Sequence, residues 1–118
     1  MNRQTRMAGL VVLACFVATM TARAQAPTPA APAAKRVWID VRTPEEYAEG
    51  HLTTAVNIPH ETIHQYIARF VPSKATPVVV YCASGYRSGL AQRVLTQLGY
   101  TSVTNAGGYE QLRAAGWR

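Results

Sequence analysis

The sequence predicts an α/β fold of three layers, with a central parallel sheet of four to five strands and helices on both faces. Three observations lead there. Val78-Val79-Val80 is a β-branched run of the kind that fills a strand buried on both sides, as parallel strands are. After a short Gly-containing turn, Leu90, Ala91, Val94, Leu95 and Leu98 recur at helical spacing. Strand-like and helix-like segments alternate along the remainder, which is the pattern of a sheet wound with crossover helices.

Taken in order, Val37 to Val41 forms the first strand, with Val37, Ile39 and Val41 on one face and Trp38 and Asp40 on the other. Asp40 falls near its carboxyl end, the edge on which open parallel sheets bind ligands. Thr43-Pro44-Glu45-Glu46 then supplies an N-cap threonine, a proline at N1 and a glutamate at N3, a capping box for a short helix that stops at Gly50. Ala55 to Pro59 is a second short strand, and His60 to Val71 a helix carrying Ile63, Tyr66, Ile67, Phe70 and Val71 on one face. The central strand and its loop follow. The next helix, read from Ser88 to Leu98, closes at Gly99 as a C′ residue. Val103 to Asn105 is a fourth strand, Gly107-Gly108 a turn, and Tyr109 to Ala115 a last helix.

Not all 118 residues belong to that fold. Arg3 and Arg6, an uncharged apolar run from Met7 to Met20 and the small-x-small site Ala22-Arg23-Ala24 have the grammar of a secretory signal peptide (residues 1–24), with cleavage expected after Ala24. The run is short for a membrane span. Val12-Leu13-Ala14-Cys15 offers an alternative as a lipidation box. Residues 25–34 are Pro/Ala-rich and read as an extended tether, leaving 35–118 as one domain with one core. The expected location is therefore the periplasm, with no stable membrane anchor after cleavage. With Arg3, Arg6 and Arg23 gone, nine basic residues face six acids, so the net charge falls from +6 to +3. The remaining cations are scattered, which argues against nucleic acid and mildly favours small anions. Nothing demands more than a monomer.

Once Cys15 leaves with the leader, Cys82 stands alone, and an odd cysteine in an exported chain is a free reactive thiol, an intermolecular partner or a buried structural thiol. Its position favours the first. Cys82 ends the apolar strand and is followed by Ala83-Ser84-Gly85-Tyr86-Arg87-Ser88 at the start of a helix, where backbone N–H groups converge and the helix dipole is positive. A thiol held there ionises more readily than the ordinary value of about 8.5. His51, His60 and His64 make no metal-ligand pattern with Cys82, and no metal or cofactor is expected.

Three blocks resemble the single-domain rhodaneses, the thiosulfate sulfurtransferases. They are Asp40 to Tyr47 with Gly50-His51-Leu52 and Ala55 to Pro59; Cys82 to Ser88; and Asn105-Ala106-Gly107-Gly108-Tyr109 with Trp117 beyond. With the leader, the chain most resembles the small exported rhodanese of the phage-shock type. One departure is Thr54, where the family usually has a glycine, which leaves the local turn geometry open.

The resemblance implies a rhodanese-like fold and a two-step reaction. Cys82 takes the outer sulfur of thiosulfate as a persulfide and passes it to cyanide or a thiol. Loop amides from Ala83 to Ser88 would stabilise the persulfide charge, with Gly85 turning the chain inward. Arg87 is the candidate to hold the incoming dianion, against a solvated surface charge, and Ser88 is read chiefly as a helix cap. Tyr86 is placed at the entrance, or exposed by accident, and Asp40 in support, orienting the loop from the strand end. Four residues separate Cys82 from Arg87, where cysteine-dependent phosphatases have five, so the tighter ring favours sulfur over phosphate. The alternatives are a persulfide carrier or binding module fed by another donor, and a phosphatase or arsenate reductase on the same fold.

Overall fold

A computed structural model describes residues 35–118, with Gly9 alone before them. The expected signal peptide, its cleavage site, Cys15 and the Pro/Ala tether lie outside the described residues. Within them the order is β1 (Val37–Asp40), α1 (Pro44–Glu49), β2 (Val56–Asn57), α2 (Ile63–Phe70), β3 (Val78–Cys82), α3 (Tyr86–Gln97), β4 (Val103–Gly108) and α4 (Tyr109–Ala114). The four strands form one parallel sheet in the order β2-β1-β3-β4.

β3 is central and every one of its residues is buried, as its unbroken apolar run requires. Its alternating side chains feed two cores. Val78, Val80 and Cys82 join Ile39, Val41, Ile63, Ile67, Ala91 and Leu95 under α2 and α3. Tyr81 joins Leu52, Ala55, Tyr109 and Leu112 on the other side, beneath α4. Helices thus cover both faces. On α2 only Ile63 and Ile67 are buried; Tyr66 and Phe70, expected on the inner face with them, are 40% and 48% exposed.

Local signals account for most boundaries. The Thr43 hydroxyl accepts the Glu46 N–H and the Glu46 carboxylate accepts the Thr43 N–H, closing the capping box (both 3.2 Å). Gly99 is left-handed (φ 97°) after the last turn of α3, as a C′ glycine should be. Thr54 is not strained: the Ala55 N–H donates to the Leu52 carbonyl (2.9 Å), and no described non-glycine residue has a positive φ. Gly107-Gly108 is not a turn but the end of β4, displaced by a register shift between Val80 and Tyr81.

Candidate active site

In the order β2-β1-β3-β4, the chain runs outward from β1 to one side and from β3 to the other, so the crevice between their carboxyl ends is the switch point where open α/β sheets bind ligands. The β1–α1 connection (Val41 to Thr43) and the β3–α3 loop (Ala83 to Gly85) meet there.

Cys82 closes β3 with its side chain turned into the α2/α3 core, and it is fully buried rather than exposed as a reactive thiol was expected to be. The loop folds back over it. The Gly85 N–H donates to Sγ at 2.9 Å and the Ser88 hydroxyl stands 3.4 Å away. Burial pushes the thiol up, but hydrogen bonds from the Ser88 hydroxyl and from the Ser88, Ser84 and Gly85 amides outweigh it and bring the Cys82 pKa below its ordinary value. Helix α3 has no side-chain cap, and at its start the N–H of the N-cap residue Gly85 and that of Ser88 in the first turn are directed at Sγ. The expectation that Ser88 caps the helix is corrected accordingly: α3 begins at Tyr86, and Ser88 lies buried in its first turn.

Two glycines make this close folding feasible. Gly85 is left-handed (φ 93°), and a Cβ there would lie 3.3 Å from Gly107 Cα. A Cβ on Gly108 would lie 2.6 Å from the Ala83 carbonyl oxygen. A side chain at either position would push the loop off β4.

Arg87 is not free. Its guanidinium makes a two-pronged contact with Glu46, Nη1 to Oε1 at 2.7 Å and Nη2 to Oε2 at 2.9 Å. One carboxylate therefore closes the α1 capping box and grips the active-site loop. Glu46 is held down to about 2 by Arg87, against its partial burial and with help from Thr43, and Arg87 is raised in turn.

Asp40 is completely buried, but its partner is Arg42, not the cysteine loop as expected. The carboxylate accepts the Arg42 amide (2.9 Å) and its Nε and Nη2 (2.6 to 3.1 Å). Arg42 continues to the Gly50 carbonyl (2.6 Å) and lies 4.4 Å from the centre of the Tyr109 ring. Tyr86 points outward, 73% exposed. Ala83 contributes its backbone to the contact with β4. Two shallow depressions of about 210 and 200 Å³ lie over Gly50 and Tyr109, and Cys82 lines neither. His51 bonds the Tyr47 carbonyl (2.7 Å) and stacks on its ring, and among the described residues no three His, Cys, Asp or Glu side chains converge as a metal site would need.

Asn105 was not singled out as a site residue from the sequence, yet it touches both Gly85 and Ser88. Its one trace in the sequence was membership of the Asn105-Ala106-Gly107-Gly108-Tyr109 block that carries the family resemblance; no local physical pattern marked it.

The family model of the rhodanese-like domain matches residues 24–115. The chain belongs to the rhodanese-like family. Among its relatives is the thiosulfate sulfurtransferase PspE of Escherichia coli, 47% identical over 75 residues, which span 64% of this chain and 72% of that one. The thiosulfate:glutathione sulfurtransferase of Saccharomyces cerevisiae is 32% identical over 79 residues, 58% of this chain and 57% of its own length. A solved structure titled rhodanese with anions, from E. coli, superposes with a TM-score of 0.63 at 46% identity, over 64% of this chain and 89% of that one. This rhodanese-like domain therefore has the α/β fold that its alternating strands and helices suggested, with the cysteine at the switch point.

Proposed function

We propose that the protein is a thiosulfate sulfurtransferase that carries sulfur on Cys82. The observation that supports this most is the Cys82 sulfur, a lone thiol at the sheet's switch point, buried among donors that favour its anion. The relatives named for thiosulfate point to the same donor.

In the first half-reaction the Cys82 thiolate attacks the outer sulfur of thiosulfate. The new Cys82 S–S bond forms as the old S–S bond breaks, and its electron pair leaves with sulfite. The persulfide carries one negative charge, which the amides of Ser84, Gly85 and Ser88 and the Ser88 hydroxyl are placed to receive. In the second, a nucleophile, cyanide or a thiolate, attacks the outer sulfur and leaves as thiocyanate or a new persulfide, regenerating the Cys82 thiolate. Among the described residues Cys82 is the only cysteine, which suits an acceptor from outside the domain. Because Cys82 is covered, loading requires the loop to open, and the Glu46–Arg87 pair ties the first turn of α3, next to that loop, to α1. The leader-like segment favours action in the periplasm, and the mild positive charge left without that segment favours a small anionic donor.

The test is thiocyanate formation from thiosulfate and cyanide, with a simple thiol as second acceptor and para-nitrophenyl phosphate as rival substrate. Turnover by the wild type and none by Cys82→Ser is the expected result. Phosphoester hydrolysis, or activity retained in Cys82→Ser, would refute the assignment.

A further inference from the structure

The donors that surround Cys82 share one support. Asn105 lies on β4 opposite Val80, which places its side chain on the same face of the sheet as Val80 and Cys82. Directly after it the β3–β4 register slips, so that Tyr81 pairs with Gly107 and Cys82 with Gly108. Irregularities of this kind re-aim a side chain beside a functional site. Here the carboxamide is engaged at both ends. Its Nδ2 donates to the Gly85 carbonyl (3.0 Å), while Oδ1 accepts the Ser88 hydroxyl (2.7 Å) and the Gly107 N–H (3.0 Å).

Gly85 and Ser88 are the two residues whose N–H and hydroxyl approach Sγ. Repair of the bulge would need Oδ1 on Gly107 and nothing more. The bond to the Gly85 carbonyl does something else: it holds a left-handed residue whose amide must aim inward, at a carbonyl that also accepts the Gly89 N–H (3.0 Å). The Ser88 hydroxyl has one proton and two acceptors in reach, Asn105 Oδ1 and Cys82 Sγ. When it turns toward an anionic sulfur, Oδ1 keeps the Gly107 N–H, so no interior acceptor is stranded.

We propose that Asn105 is a positioning residue for sulfur transfer, which holds the Gly85 amide and the Ser88 hydroxyl on the Cys82 sulfur without touching it. This rests on Cys82 as the sulfur carrier. Its first test needs no sulfur donor: the pH dependence of Cys82 alkylation by iodoacetamide, in the wild type and Asn105→Ala. The midpoint is expected to rise by about one unit, the loss of one hydrogen bond to a charged group. In thiosulfate turnover kcat falls about tenfold while KM for thiosulfate stays near its wild-type value. Ser88→Ala combined with Asn105→Ala gives less than the sum of the two single effects, because they share a route. Should the alanine variant fail to fold, Asn105→Ser, which replaces the carboxamide with a shorter hydrogen-bonding hydroxyl, gives the same shift in smaller measure. An alkylation midpoint and kcat unchanged in a folded variant, with only the melting temperature lowered, would overturn the proposal. Absence of thiosulfate turnover in the wild type would instead count against thiosulfate as donor and leave the alkylation result readable.

Discussion

Two arginine–carboxylate pairs flank the switch point and could hardly be more different. Asp40–Arg42 is local, two residues apart, and interior, with side chains 0% and 7% exposed. Glu46–Arg87 joins residues 41 apart in the chain and sits at the rim, with 32% and 26% of its side chains exposed. The first is bound by the strand end, by the Gly50 carbonyl and by the Tyr109 ring, so it fixes the frame on which the site stands. The second is the ionic link between the cysteine loop and α1. Burial teaches the distinction: a deeply placed pair resists any change because breaking it strands a charge, while a pair in contact with water can open at little cost.

The largest effect on stability should therefore come from the buried pair. Arg42→Ala leaves the Asp40 carboxylate buried without its counter-charge and should cost about 3–5 kcal/mol in denaturant unfolding. A cost under about 1 kcal/mol would mean that the two pairs are not different in kind. Arg87→Ala should do the reverse, costing about 1 kcal/mol or less in stability but lowering thiosulfate turnover by about 10- to 100-fold as the loop loses its alignment. Equal losses in both would make the rim pair structural.

The smallest effect is in acid. Glu46 is depressed to about 2, below the ordinary value of about 4.3, so the stability it contributes is complete above that ordinary value and is lost as pH falls toward 2. Solvent screening at the rim keeps the contribution to about 1 kcal/mol. Melting curves of the wild type and Glu46→Gln should be separated at pH 6 and converge as pH falls through about 4 toward 2. A separation that persists at pH 2 would place the effect of the substitution elsewhere. The thiol has the same sign, since its pKa is lowered on folding: the acid limb of the pH–rate profile should lie below that of an ordinary thiol, and Ser88→Ala should move it upward.

What the sequence revealed and what it concealed divides along the same line. Val78 to Val80, the Thr43 capping box, Gly99 and the order of strands and helices are written in neighbouring residues, and so was the loop from Cys82 to Ser88. The Glu46–Arg87 grip joins residues that become neighbours only when β1 and β3 pair. Asn105 gave no local sign because its role comes from a register slip, which also converted an apparent Gly-Gly turn into the end of β4. The start of α3 was misplaced for a chemical reason. A serine is the ordinary cap, but here the left-handed Gly85 is the N-cap and its N–H turns to the sulfur, so the helix begins two residues earlier. Asp40 was rightly placed at the strand end, but a carboxylate two residues from an arginine satisfies itself locally before it can reach a loop.

The central claim is that the covered Cys82 sulfur becomes a persulfide. Protein incubated with thiosulfate, freed of excess and examined by mass spectrometry tests this most directly. The account predicts a gain of one sulfur atom on the peptide containing Cys82, removed by cyanide with release of thiocyanate and absent from Cys82→Ser. A Cys82 peptide of unchanged mass after thiosulfate, in protein whose thiol is reduced and folded, would contradict it.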